Sequence, residues 1–332
     1  MQSFKKLLAA AALASVGLCS HAQDVAVGPL YSALYVFGDS LSDGGNNAAV
    51  IGLNASQPIT NIYIPSQPYG LGAYTNARVW VNSFATSLGL PGAASPSLGG
   101  GGNYAYGGAR TSTDGVPFPP SANTVLNGFL ASPIGVTSSA LYVIAVGGND
   151  VRDVGGAIQN GASLSIIGPA AAAYATAVGN MVDALQARGA AHIIVWDAPN
   201  VGKAPAVLAS GALASGLATS ISSAFNSALT TRLTGEAGVS IFDIFGTFNT
   251  IVASPAAYGL TNVVDACGGV VGCDPSKYLF WDGIHPTSAG QALIASAMLT
   301  AAIAAVPEPG SLLMMAAGVL MLVLARRRGS AR

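Results

Sequence analysis

Ser40 stands in Phe37-Gly-Asp-Ser-Leu-Ser-Asp43, directly after the apolar run Leu34 to Phe37. A hydroxyl just past the carboxyl end of a buried strand lies at the edge where open α/β sheets bind ligands. It becomes a nucleophile once a base can reach it. Gly-Asp-Ser is also ordinary turn chemistry, so the rest of the chain has to supply that base. Of three histidines, His21 falls in an N-terminal targeting segment, and His192 opens a predicted strand and belongs at the opposite sheet edge. His285 is left, in Trp281-Asp282-Gly-Ile-His285-Pro286. Asp282, three residues earlier in a loop fixed by proline, is placed to accept from one ring nitrogen, leaving the other to take a proton from Ser40. The plainer reading of His285 is a capping or core histidine ahead of the last helix.

Acyl transfer also needs donors aimed at a developing oxyanion. The backbone N–H groups of Ser40 and Gly108 and the side-chain amide of Asn149 are the candidates. Gly107-Gly108 follows the short run from Asn103, and Asn149 follows Leu141-Tyr-Val-Ile-Ala-Val146 and two glycines. Each alone reads as a turn or a cap. In this order they read together as the donors of one nucleophilic site; Asp39 and Asp43, which flank the serine, read as structural, holding its loop.

The elements needed to converge these groups are strands that end at one edge. Apolar runs predict strands at Leu34–Phe37, Asn103–Tyr106, Leu141–Val146, Ala191–Asp197 and Val239–Phe242. Helical spacing predicts helices near Arg78–Gly89, over Ser121–Ser132, Ala170–Arg188 and Leu208–Leu233, and over Thr287–Ala304. Asn46–Gly72 reads as a long surface loop over the catalytic edge, and Gly99–Gly102 as a flexible linker. Strands alternating with helices predict one doubly wound α/β domain with a parallel sheet, residues 23–305.

The four blocks Phe37–Asp43, Asn103–Ala109, Gly147–Asp150 and Asp282–Pro286 resemble those of the SGNH (GDSL-type) hydrolases, over about Ala33 to Ala304. The resemblance implies a three-layer α/β/α, flavodoxin-like fold. It also implies roles block by block: Ser40 nucleophile, His285 base, Asp282 its orienting carboxylate, Gly108 and Asn149 completing the oxyanion hole. The Phe280-Trp281 lead-in and Gly45-Asn46-Asn47 look most like the lipase and lecithinase-haemolysin branch. No cofactor or metal is implied. The expected substrate is a lipid or acylated-glycan ester. A carbohydrate O-acetylesterase is the alternative, and a catalytically silent surface protein the alternative of another class.

Both chain ends address the protein outward. Lys5-Lys6, the apolar run Leu7 to Leu18 and small residues Ser20 and Ala22 predict a signal peptide over residues 1–22. A lipoprotein signal at Cys19 is the alternative, with Leu18 bulky for a lipobox. Val306-Pro-Glu-Pro-Gly310, an apolar run within residues 311–325 and Arg326-Arg327-Arg328 resemble a PEP-CTERM sorting signal over 306–332. That implies Gram-negative export, an exosortase-type processing partner and membrane contact through 311–325 as a transmembrane helix before processing; a permanent tail anchor is the alternative. Cys267 and Cys273 are predicted to form a disulfide in an oxidising compartment, zinc ligation being the alternative. With 8% charged residues and a net charge of −1, the chain lacks the basic clusters a nucleic-acid partner demands.

Overall fold

Burial on both faces is what a five-residue strand such as Leu141–Ala145 (β2) requires, since every one of its residues is buried. Leu141, Val143 and Ala145 enter one core, and Tyr142 and Ile144 the other, the two-residue alternation of a pleated strand. The computed structural model describes residues 29–54 and 56–305. The predicted signal peptide and the sorting segment lie outside them. Among the described residues no helix is long and apolar enough to cross a membrane; the 311–325 run expected to do so is not among them.

In chain order the elements are β1 (Leu34–Gly38), α1 (Asn46–Ile51), α2 (Trp80–Ser87), α3 (Ala122–Ala131), β2, α4 (Gly148–Gln159), α5 (Ile167–Gln186) and β3 (His192–Trp196). Then come α6 (Pro205–Ala209), α7 (Ala212–Leu233), β4 (Val239–Phe242), α8 (Ile244–Ala253), β5 (Asn262–Ala266), β6 (Tyr278–Phe280) and α9 (Ser288–Ala304). The main sheet is parallel throughout, in the order β1-β2-β3-β4. One core packs α2, α8 and α9 against Val36, Val143 and Trp196; the other packs α3, α4, α5 and α7 against Phe37, Ile144 and Val195. This is a three-layer α/β/α sandwich.

The strand expected at Asn103 is reduced to a bridge on the far side of β1. Val36 N–H donates to Gly102 O, and Tyr104 N–H to Val36 O. Tyr106 N–H reaches Gly38 O, while the Ala105 N–H, on the side away from β1, is taken by Asn103 Oδ1. Counting this segment, the chain visits sheet positions in the order 2-1-3-4-5, the doubly wound arrangement.

Three other expectations change. Gly99–Gly102 is no flexible linker: a Cβ on Gly102 would sit 2.1 Å from Leu34 O, and its backbone is hydrogen-bonded to Val36 and Ala93. The long helix from Leu208 is broken into α6 and α7 at Gly211, whose φ of 96° is left-handed and favours glycine. The cysteine loop carries strand β5, which pairs in parallel with β6.

Candidate active site

Gly38 ends β1 and starts a tight turn. A Cβ there would lie 2.9 Å from Ser42, so only glycine fits without rearrangement. Asp39 then organises the turn: its carbonyl accepts from Ser42 and Asp43 N–H, and its Oδ1 from Leu41 N–H at 3.0 Å. Ser40 is left at the crest, partly exposed, at the carboxyl edge of the sheet. Burial pushes the Asp39 carboxyl up to about 6, against the pull of the Leu41 N–H and His285.

Asp43 ties this loop to the next strand end. Its Oδ1 accepts from Gly45 and Asn46 N–H, both at 2.8 Å, and its Oδ2 from Gly107 N–H at 2.9 Å and Asn47 N–H at 3.2 Å. Burial raises its pKa, and the four N–H groups oppose that rise. Because Gly107 N–H is spent on Asp43, Gly108 is the glycine whose N–H has no acceptor among the described residues. Gly108 has φ 81°, and the Ser40 N–H likewise has no acceptor among them.

Asn149 enters α4 behind Gly147, a glycine of φ 123° that leads the chain out of β2. One Asn149 Nδ2 hydrogen donates to Ala109 O at 2.9 Å, holding the amide beside the Gly108 turn with its second hydrogen uncommitted. Arg152, one turn on, donates to Asn149 Oδ1 at 3.2 Å.

His285 and Asp282 come from the loop between β6 and α9. Their side chains are almost fully buried, at 3% and 0% exposure. Asp282 Oδ1 accepts from Ile284 and His285 N–H, both at 2.8 Å, which coils the loop so that the ring folds back over its own carboxylate. His285 Nδ1 is 2.8 Å from Asp282 Oδ2, and Nε2 is 2.8 Å from Ser40 Oγ. With the proton on Nδ1, the ring donates to Asp282 and its Nε2 accepts the Ser40 O–H. The structure thus brings Ser40, His285 and Asp282 into one hydrogen-bonded line across 245 residues of chain. His192 lies far from it, in register with Leu34 at the amino edge of the sheet.

Asn46–Gly72, read as a long surface loop, in fact opens with α1, and it and the residues just after it supply contacts that sequence reasoning did not find. The Tyr69 hydroxyl donates to Asp282 Oδ2 at 2.8 Å, and its ring meets Trp281 edge-on. Tyr74 lays its ring against His285 at 5.2 Å, and Thr75 donates to Pro286 O. Burial and the neighbouring Asp282 carboxylate push the Tyr69 phenol far above its ordinary range. The only local signal for Tyr69 was its place in Pro68-Tyr69-Gly70, and tyrosine in a turn is commonplace.

Beside Ser40 and His285 lies a small, partly open space of about 40 Å³, walled by Pro199, Val201, Ala204, Phe248, Phe280 and Ile284. Its residues come from the carboxyl ends of β1, β2, β3, β4 and β6 or the turns after them. Cys267 and Cys273 form a disulfide with a Cα–Cα distance of 5.6 Å. Their loop packs beneath Ile59 and donates from Gly268 N–H to Trp281 O, bracing the strand end that carries Asp282. Among the described residues no group of three His, Cys, Asp or Glu side chains could hold a metal ion.

Residues 34–298 match the model of the GDSL-like lipase/acylhydrolases, and residues 305–328 match the PEP-CTERM protein-sorting motif. The chain is 33% identical to esterase EstA of Pseudomonas aeruginosa, over 88% of this chain and 49% of that protein. It is 32% identical to an uncharacterised protein of the trpE-trpG intergenic region of Pseudomonas putida, over 85% and 50%. GDSL esterase/lipase 7 of Arabidopsis thaliana is 29% identical, over 80% of this chain and 87% of its own. A solved lipase from a goat rumen metagenome aligns with a TM-score of 0.46 at 15% identity, covering 81% of this chain and 97% of that one. The chain spans about half the length of the Pseudomonas relatives.

Proposed function

The chain belongs to the GDSL-like lipase/acylhydrolase family and carries a PEP-CTERM signal, which marks export in Gram-negative bacteria to the cell surface or beyond, and from that premise we propose that it is an exported serine esterase. The observation that carries this reading is the Ser40–His285–Asp282 line, with 2.8 Å at both of its links.

Ser40 Oγ attacks the ester carbonyl as His285 Nε2 takes its proton. The imidazolium that forms is stabilised by Asp282, and it then protonates the departing alcohol. Water enters, is deprotonated by the same nitrogen, and releases the acid from Ser40. The tetrahedral oxyanion of each half-reaction takes hydrogen bonds from Ser40 N–H, Gly108 N–H and the uncommitted Asn149 Nδ2 hydrogen, three donors fixed before substrate arrives. Nothing in this sequence of steps calls on a cofactor. The exosortase that recognises the tail is its processing partner.

The apolar wall formed by Val201, Phe248, Phe280 and Ile284 supports an acyl group as its occupant, and the small volume supports a short one. The same small volume favours the second reading, a carbohydrate O-acetylesterase. A p-nitrophenyl ester series from acetate to palmitate, run on the wild type and Ser40→Ala, separates them. An optimum at medium chains supports a lipid-type esterase, and activity confined to acetate supports the glycan reading. Hydrolysis that survives in Ser40→Ala contradicts both.

A further inference from the structure

Arg152 is used by the proposed mechanism only as the group behind Asn149, yet it is a largely buried cation. Charges taken from water are stable where an opposite charge meets them. Among the described residues no carboxylate lies within salt-bridge distance of Arg152. The neighbouring Asp153 is engaged by Arg110 through both of its oxygens. Burial disfavours the charged form of the Arg152 guanidinium; Asp153, then Asp39 and Asp282, favour it without a salt bridge, and Arg110 opposes it. Of the five Arg152 N–H donors, one reaches Asn149 Oδ1; the others find no acceptor among the described residues.

Arg152 lines a groove of about 380 Å³ between α4 and the α6–α7 region, with Ile62, Ile64, Val207 and Leu217 as its apolar lining. Asp153 lines it too, with its oxygens held by Arg110. Asn149 lines the space beside Ser40, Arg152 holds its amide, and Val201 lines both spaces, so the groove adjoins the site at these residues. Holding the Asn149 amide uses one of the guanidinium donors; a planar fork with spare donors matches an oxyanion bidentately.

We propose that Arg152 and this groove form a subsite for an anionic oxygen group, carboxylate or phosphate, borne by the ester substrate a few bonds from the carbonyl attacked. The inference rests on the esterase reading for its location and on Arg152 for its chemistry. Isothermal titration of the purified protein with butyl phosphate, pentanoate and pentanol tests it without needing turnover. At least one anion binds roughly tenfold or more tighter than pentanol, the scale of one charge-assisted contact. Arg152→Gln abolishes that difference, and Arg152→Lys, which keeps the charge but loses the fork, retains part of it. Whichever anion binds tighter identifies the substituent.

Three results overturn the proposal. They are equal binding of all three probes, a preference that persists in an Arg152→Gln protein of unchanged melting temperature, and inorganic phosphate binding as tightly as butyl phosphate. If anion binding behaves as stated but no Ser40-dependent hydrolysis of p-nitrophenyl butyrate is found, the subsite stands and the esterase reading fails. If hydrolysis is present, Arg152→Gln lowers kcat on this neutral ester through Asn149 and leaves its KM unchanged, while inhibition by the anions weakens by the factor lost in titration.

Discussion

Replacing Tyr69 by Phe removes one oxygen and keeps the ring against Trp281. Its effect therefore isolates the 2.8 Å hydrogen bond to Asp282. The acceptor is a carboxylate with no solvent exposure, and a hydrogen bond to a charged group contributes roughly 1.5–3 kcal/mol. Asp282 keeps the Ile284 and His285 N–H groups and the imidazole, so the loop is not released. What changes is the hold on the oxygen that faces Nδ1. The bond is present in the resting enzyme and in the transition state alike, so most of its energy appears in stability and about a third of it in rate. At about 1.4 kcal/mol per tenfold, that share is roughly a two- to fivefold fall in kcat/KM. The assay is kcat/KM for a neutral p-nitrophenyl ester beside thermal unfolding, which shows a loss of about 1–3 kcal/mol in Tyr69→Phe. A kcat/KM and a melting temperature both unchanged would sink this reading, since the bond would then contribute nothing to either state.

Asp43→Ala leaves four N–H groups, three of them buried, without their acceptor and cuts the link to Gly107; urea unfolding should show a loss of roughly 3 kcal/mol or more, with kcat falling because the Gly108 turn is freed. Asp197 predicts the pH dependence of stability. Burial, with Asp243 adding to it, pushes its carboxyl up to about 7 from 3.8. The folded protein then holds a proton that the unfolded chain has released, so stability falls as pH rises between those values. Asp197→Asn keeps an oxygen for the Phe245 N–H and should flatten that decline, seen as a urea midpoint above wild type near pH 8 and equal to it near pH 4. Part of the decline remains, because Asp39, pushed up to about 6, has the same sign.

The parts of this architecture legible in the sequence are those with a local signature. Leu141–Ala145 reads as a strand because burial on both faces forces a continuous apolar run, and Val239–Phe242 was bounded to the residue. Ser40, Gly108, Asn149, Asp282 and His285 each sit at a glycine- or proline-marked break after such a run or just ahead of a helix. Their convergence on one edge therefore followed from topology. Tyr69 and Tyr74 were hidden because they act through tertiary contacts from a segment without periodicity; nothing within ten residues of Tyr69 marks its partner, 213 positions away. The β5–β6 pair was missed for the opposite reason. Asn262-Val-Val-Asp-Ala266 is half-exposed and carries polar residues at both faces, so no alternation announces it. Gly99–Gly102 misled because glycine serves close packing as readily as mobility, and only the Leu34 carbonyl against Gly102 distinguishes the two.

His285 makes Ser40 the nucleophile, and the direct measurement of this is reaction with a fluorophosphonate, followed by peptide mapping by mass spectrometry on wild type, Ser40→Ala and His285→Ala. One adduct is expected, on the peptide containing Ser40, absent from Ser40→Ala and formed at least about a hundredfold more slowly in His285→Ala, the scale of lost general-base assistance. An adduct on another residue, or labelling of Ser40 at an undiminished rate without His285, would contradict it.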